Sequence, residues 1–179
     1  MSEDTQDFYK LGTRYGEYLT GSARLKKTNL KGNGVFAVEK INKGALVAVF
    51  GGLIIDTKEL NLLTASQRSM VIQIDDDRFS YSDVITEPDY INHSCEPNLY
   101  FDSQGRLVAL RDIYVDEELC FDYGSADSVL IDEFRCECGS AKCRTIINKD
   151  DWKLLSKIKP LQGHLMPYLE RKIKQISNT

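Results

Sequence analysis

Apolar and polar positions alternate in short runs along most of this chain, and turn residues interrupt them at close intervals. Short apolar runs bounded by Gly, Asn or Asp read as strands. Residues 45–50 and 53–55 read as buried strands flanking Gly51-Gly52. Residues 70–74 and 77–81 read as a hairpin about Asp75-Asp76-Asp77, and residues 99–102 and 106–113 as another about Ser103-Gln104-Gly105. Residues 119–124 close this β-rich part after a turn at 116–118. Helical spacing is rarer. Asp56 and Thr57 open a short helix to about Thr64, with Leu60 and Leu63 inward. Asp150 and Asp151 cap a helix over 152–159, which Pro160 and Gly163 end. A second helix over 165–176 places Leu165, Leu169, Ile173 and Ile176 on one face. Residues 8–19 show near-helical spacing weakened by Gly12 and Gly16, and read best as a segment docked on an edge of the core. The pattern predicts a mainly β (α+β) domain of small sheets with C-terminal helices.

Composition narrows the classes. At 179 residues the chain is one domain with its own core. A net charge of −4 argues against a general phosphate-backbone binder and suits a cationic substrate. The longest apolar run, 45–50, is far short of the roughly 20 residues of a membrane-spanning helix. The acidic, polar start does not read as a secretory signal. Of the five cysteines, Cys136, Cys138 and Cys143 fall within eight residues, a metal-ligand spacing suited to a reducing compartment. They supply three thiolates from one knuckle, where a structural zinc takes four ligands.

Two further stretches stand out. Residues 24–31 are basic and read as a charged face. They run into Gly32-Asn33-Gly34-Val35-Phe36-Ala37, which fits G-x-G-x-x-A. A dinucleotide site needs a hydrophobic strand before the glycines and a helix after them, and neither is present. What remains is a glycine turn between strands, either a bare hairpin or a place where backbone approaches a ligand. The other stretch, Asn92-His93-Ser94-Cys95-Glu96-Pro97-Asn98, is a polar segment between apolar Tyr90-Ile91 and Leu99-Tyr100-Phe101.

Taken together, Gly32-Asn33-Gly34, the N-H-S-C-x-P-N segment at 92–98, Glu118-Leu119-Cys120-Phe121-Asp122-Tyr123-Gly124, and the C-x-C-x4-C knuckle at 136–143 resemble the SET-domain protein lysine methyltransferases with a post-SET zinc motif. The resemblance covers roughly 22–147 and lacks a pre-SET region. It divides the chain into an N-terminal segment (1–21), a SET domain (22–125), a post-SET zinc segment (126–147) and a C-terminal helical brace (148–179). The implied fold is a set of small curved β-sheets around a knot-like crossing that brings 92–98 against 119–124. The implied reaction is methyl transfer from S-adenosylmethionine to a protein lysine ε-amine.

The resemblance also assigns roles. Tyr123 matches the catalytic tyrosine. Phe121 and Phe50 match positions beside the amine, and two phenylalanines there imply room for di- or trimethyl-lysine. Lys31, Gly32, Asn33, Gly34, Met70, Tyr90, Asn92, His93 and Tyr123 match cofactor-contacting positions. The family departs from this chain in often having an aromatic at Asn33, an arginine at Asp89 and a tyrosine at Met70 and at Phe50. Cys95 is implied as the fourth ligand to one structural zinc, with Cys136, Cys138 and Cys143, while Cys120 reads as a small buried hydrophobe. The implied partner is a lysine-bearing protein or peptide, histone or non-histone, with no direct nucleic-acid or membrane binding. The implied setting is cytoplasmic, or nuclear in a eukaryote. The missing hydroxyl at Phe50 leaves a non-catalytic SET-like cofactor- or peptide-binding module, or a zinc-stapled interaction domain, as alternatives.

Overall fold

The computed structural model describes residues 10–28, 32–130 and 133–177. The elements run β1 (Arg14–Tyr15), β2 (Tyr18–Leu19), β3 (Ala23–Thr28), β4 (Gly32–Ala37), β5 (Leu46–Val49), β6 (Gly52–Ile55), α1 (Thr57–Leu62), α2 (Ala65–Arg68), β7 (Val71–Asp75) and β8 (Arg78–Tyr81). They continue with β9 (Asn92–His93), β10 (Leu99–Phe101), β11 (Leu107–Ala109), β12 (Cys120–Phe121), β13 (Phe134–Arg135), β14 (Ile146–Ile147), α3 (Asp151–Leu155) and α4 (Pro167–Ser177). Two four-stranded sheets, ordered β1-β6-β8-β7 and β10-β11-β5-β2, carry most of the framework, with three two-stranded pairs beside them.

The turn chemistry explains most boundaries. Asp56 caps α1 by accepting from the Glu59 N–H while Glu59 reaches back to the Asp56 N–H, a reciprocal capping box. Strand β7 returns as β8 over the acidic triplet, with Ile72 opposite Ser80. The near-helical spacing of residues 8–19 does not produce a helix in the described part. Gly12 takes a left-handed φ of 74°, and the chain instead adds β1 to β6 and β2 to β5. Edge pairing satisfies backbone groups that a Gly-interrupted helix would hold poorly. The basic stretch forms strand β3, paired with β4 over Ala23 to Thr28. Gly32 and Gly34 therefore lie inside β4.

A single large cluster forms the core. It joins Val47, Ile54, Leu99, Phe101, Leu107 and Leu119 of the sheets to Trp152, Leu155, Leu161, Leu165, Tyr168 and Leu169 of the C-terminal region. A smaller cluster of Ile55, Leu60 and Phe79 anchors α1. The last turn of α4 departs from its expected face: Ile176 is 60% exposed, while Leu169 is fully buried. The helix runs past the edge of the core, so its final apolar position has nothing to cover.

Candidate functional site: a crossing, an aromatic cavity and a four-thiol cluster

Strands β9 and β12 run parallel, with Asn92 opposite Cys120 and His93 opposite Phe121. The Ser94 N–H donates to the Phe121 carbonyl at 3.1 Å, and the Asn98 N–H to the Cys120 carbonyl at 3.2 Å. The Asn98 side chain closes the pairing, accepting from the Cys120 N–H at 2.9 Å and donating to the Glu118 carbonyl at 2.8 Å. Asn98 is buried, so a satisfied amide fixes the polar loop to the strand that carries Tyr123. Asn92 faces the other way. Its Nδ2 donates to the Asn33 carbonyl at 3.0 Å and to Glu118 Oε1 at 2.7 Å. A Cβ at Gly34 would lie 2.7 Å from Glu118 Oε1 and 3.0 Å from Asn92 Nδ2. Glycine lets β4 approach these two side chains without displacing them.

Beside the crossing lies a cavity of about 310 Å³, within the size of small-molecule pockets, with Phe50, Met70, Phe121, Tyr123, Asp127 and Phe134 in its wall. Phe121 sits among the rings: its centroid is 4.9 Å from Tyr123, 5.7 Å from Phe50 and 5.4 Å from Phe101. The Tyr123 hydroxyl donates to the Ile91 carbonyl at 3.3 Å. Burial, reinforced by the neighbouring ionisable groups of Cys120, Asp127 and Glu118, pushes its pKa up to about 12. The hydroxyl therefore stays protonated at neutral pH, and its proton is engaged while its lone pairs remain available.

On the far side of Tyr123, His93 accepts the Tyr123 N–H at Nδ1, 3.1 Å away. The imidazole proton is thereby assigned to Nε2, which lies 3.4 Å from Cys95 Sγ. Burial holds the His93 pKa down to about 4 against the pull of Asp122. The 3.8 Å approach of Asp122 Oδ1 to Nδ1 is thus to a neutral ring. The ligand atoms of Cys95, Cys136, Cys138 and Cys143 all lie within 4.8 Å of one another, and Cys95 Sγ is 3.9 Å from Cys136 Sγ. Thiolates at about 2.3 Å from a tetrahedral zinc stand roughly 3.8 Å apart, so the cluster has the dimensions of a zinc site. The Arg144 N–H points at Cys95 Sγ and the Thr145 N–H at Cys143 Sγ, both at 3.4 Å, an outer layer of donors suited to metal-bound thiolates. Cys120 lies outside this cluster.

Arg144 ties the cluster to the cavity. Its Nη1 and Nη2 grip Asp122 at 2.6 and 2.8 Å, and its Nε donates to Asp151 at 2.9 Å. Asp122 lies between Phe121 and Tyr123 and is completely buried. The Asp122 partnership outweighs desolvation and raises the Arg144 pKa, so the guanidinium is cationic throughout.

The structure gathers the expected residues into three neighbouring groups. Phe50, Met70, Phe121 and Tyr123 line the cavity. Asn33, Gly34 and Asn92 meet at the Glu118 edge, with Gly32 opening β4 beside them. The four cysteines converge. Tyr90, at the end of the 3-10 turn Glu87–Tyr90, packs against the core away from the cavity lining. Lys31 lies outside the described residues. His93 departs from expectation: both ring nitrogens face Tyr123 and Cys95, so its side chain holds the crossing together. Sequence reasoning passed over Asp122, Arg144, Glu118, Asp127 and Phe134. The first three sat inside or beside quoted motifs and carried a usable signal. Asp127 and Phe134 lie in the connection between the last two motifs, where no spacing rule marks them.

Small sheets around a parallel crossing, with a cavity bordered by Tyr123 and a four-thiol cluster, define a β-rich domain. The SET domain model matches residues 32–124, and the chain belongs to the SET-domain family. It is 30% identical over 157 residues to human histone-lysine N-methyltransferase SETMAR, covering 69% of this chain and 23% of that protein. The chain thus spans under a quarter of that relative's length. The solved methyltransferase domain of human SETMAR superposes with a TM-score of 0.58 at 27% identity, over 73% of this chain and 59% of that one. KRYPTONITE, solved with methylated CHH DNA, an H3(1–15) peptide and SAH, gives a TM-score of 0.56 at 25% identity, over 73% of this chain and 30% of that one. Among the described residues no helix is long and apolar enough to cross a membrane.

Proposed function

We propose that this chain transfers a methyl group from S-adenosylmethionine to the ε-amine of a lysine in a protein substrate. The observation that carries the reading is the Tyr123 hydroxyl, tethered to the Ile91 carbonyl in an aromatic cavity beside a glycine-enforced strand edge. Gly34 makes room for Glu118 and Asn92, and in this reading the polar end of the cofactor lies along that edge. When bound, S-adenosylmethionine supplies an electrophilic methyl on a sulfonium. The chain's own work is positional. Tyr123 orients the amine and lends oxygen lone pairs to the transferring methyl. Phe50 and Phe121 exclude water and leave space for a partly methylated nitrogen. Gly32, Asn33, Gly34, Met70 and Asn92 form the cofactor face, with the His93 backbone beside them. Cys95, Cys136, Cys138 and Cys143 hold one structural zinc that closes the post-SET segment over the cavity. The substrate is a lysine-bearing histone or non-histone protein, as the H3 peptide bound to KRYPTONITE suggests. The reduced thiols suit a cytoplasmic or nuclear setting.

The test is incubation of the zinc-loaded protein with labelled S-adenosylmethionine, core histones and a cell lysate, with Tyr123→Phe in parallel. Label in protein lysine that depends on Tyr123 supports the reading; no transfer to any protein overturns it. Phe50 brings no hydroxyl to the cavity, only a ring 5.7 Å from Phe121. That favours, as a second reading, a cofactor- or peptide-binding module without turnover, which would bind S-adenosylmethionine in calorimetry and leave the substrates unlabelled.

A further inference from the structure

Asp127 is one of two acids in the cavity wall, the other being Asp89, whose carboxylate is held by Thr86. Asp127 lies one turn beyond Tyr123, its N–H 3.3 Å from the Tyr123 carbonyl. It lines the same cavity as Tyr123, with Phe50, Ile72, Phe121, Leu130 and Phe134 around it. Oδ1 accepts the Gln73 N–H from β7 at 3.0 Å. Oδ2 has no hydrogen-bond partner among the described residues. Among the described residues no fully buried side-chain oxygen or nitrogen lacks one, so Oδ2 is open, and the cavity is the space that Asp127 borders. A carboxylate with one oxygen fixed and the other open beside the aromatic rings of this cavity is built to meet a cation.

We propose that Asp127 receives the ε-ammonium of the substrate lysine in this cavity and takes its proton. The inference rests on the methyl-transfer reading. Lysine arrives charged at neutral pH and must become a neutral amine to react. An apolar wall favours the neutral acid–amine pair over the separated charges. An ammonium N–H bond breaks, its electron pair stays on nitrogen, and the proton forms an O–H bond at Oδ2. That lone pair then makes the new C–N bond as the donor's C–S bond breaks, with the C–S electrons left on sulfur. The proton returns to solvent when product leaves.

Burial sets Asp127 apart from a surface carboxylate, pushing its pKa up to about 7 against the Gln73 N–H, a value matched to proton transfer near neutrality. The titratable and charged groups around it are Tyr123 on its own turn, Tyr168 and Lys172 from α4, and Arg68 and Asp89 on the cavity wall. The β7 residue that meets it is the neutral Gln73.

Asp127→Asn keeps an oxygen for the Gln73 N–H and removes the charge. The probes are n-butylammonium, which copies the lysine tip, and its neutral analogue 1-butanol, compared by ligand-observed NMR on the zinc-loaded protein. Wild type binds the cation at least about tenfold more tightly at pH 8 and loses that preference below pH 6, as Asp127 protonates. Asp127→Asn binds the two equally at both pH values. On core histones, Asp127→Asn lowers kcat/KM by about 100-fold at pH 7, and the deficit narrows toward pH 10, where free lysine deprotonates unaided. A cation preference that survives in Asp127→Asn, or an unchanged pH–rate profile, overturns the inference. If that variant fails to fold, a wild type without a pH-dependent preference overturns it instead. Absence of any methyl transfer by wild type strikes the functional reading, whereas transfer with an indifferent Asp127 strikes this one alone.

Discussion

Replacing Arg144 with methionine removes the one cation between two buried carboxylates. The side chains of Asp122, Arg144 and Asp151 are 0%, 13% and 9% exposed. Methionine fills a similar volume, so the loss is chiefly electrostatic and hydrogen-bonding. Removing one partner of a buried ion pair costs about 3–5 kcal/mol, because the remaining charge has neither water nor counterion. Here the remaining charges are two carboxylates that repel each other. For a domain of this size each kcal/mol lowers Tm by about 2–4 °C, so the expected fall is roughly 6–20 °C. Trp152 is the only tryptophan and is buried within α3 beside Asp151. Its fluorescence during urea unfolding of zinc-loaded protein reads the loss directly. Adding Asp122→Asn to Arg144→Met should recover part of the loss, since it removes the orphaned charge. A loss below about 1 kcal/mol, or a double variant no better than additive, would refute the claim that this triad stabilises the strand carrying Tyr123.

Cys95→Ser should lower bound zinc per chain and methyl transfer together, measured by metal analysis and labelling. Cys120→Ser should keep its zinc and cost about 1–3 kcal/mol of stability for a hydroxyl placed in the core; equal zinc in both variants refutes the ligand assignment. Gly34→Ala fits the backbone angles but pushes on Asn92 and Glu118. It should weaken S-adenosylmethionine binding by about tenfold, the equivalent of one or two hydrogen bonds, in calorimetry. Unaltered affinity would mean that the cofactor lies elsewhere. Phe50→Tyr brings a hydroxyl into the cavity and should shift product from higher methylation states toward monomethyl-lysine in mass spectrometry. An unchanged distribution would remove Phe50 from control of product state.

The readable parts of the chain were those in which one residue type has one physical use. Cysteines at knuckle spacing, the Asp56 cap and the hairpin turns all reached the structure as the sequence implied. The unread parts were contacts that depend on who arrives opposite. His93 looked like a ligand-facing imidazole because its motif suggested so, yet its ring is used up between a backbone N–H and a thiol. Asp122 and Arg144 are far apart in sequence, and nothing local announces that a guanidinium will meet a carboxylate at 2.6 Å. The edge docking expected of residues 8–19 is what the described part shows, β1 on β6 and β2 on β5, the free strand edges outweighing a weak helical period. Tertiary pairing decides such segments wherever glycine has already lowered the helical alternative.

The family match ends at residue 124, but the folding unit does not. Leu155, Leu161, Leu165, Met166 and Leu169 are each at most 3% exposed within the main core. Burying five such side chains contributes about 8–15 kcal/mol gross, comparable to the entire net stability of a typical domain. The same region reaches the cavity through polar contacts. The Met166 N–H donates to the Ser125 carbonyl at 2.8 Å, and the Tyr168 hydroxyl lies 2.7 Å from both the Ala126 carbonyl and Gln73 Oε1. Gln73 in turn accepts from the Ser128 N–H at 2.9 Å and donates its own N–H to Asp127. The outer edge of β7 is thus closed by the turn after Tyr123, and that turn is held by α4. A cavity whose wall depends on this chain of bonds loses its shape when the helices leave. The C-terminal helices are therefore part of the site's construction, and the end of the family match at residue 124 is not a boundary in the physics.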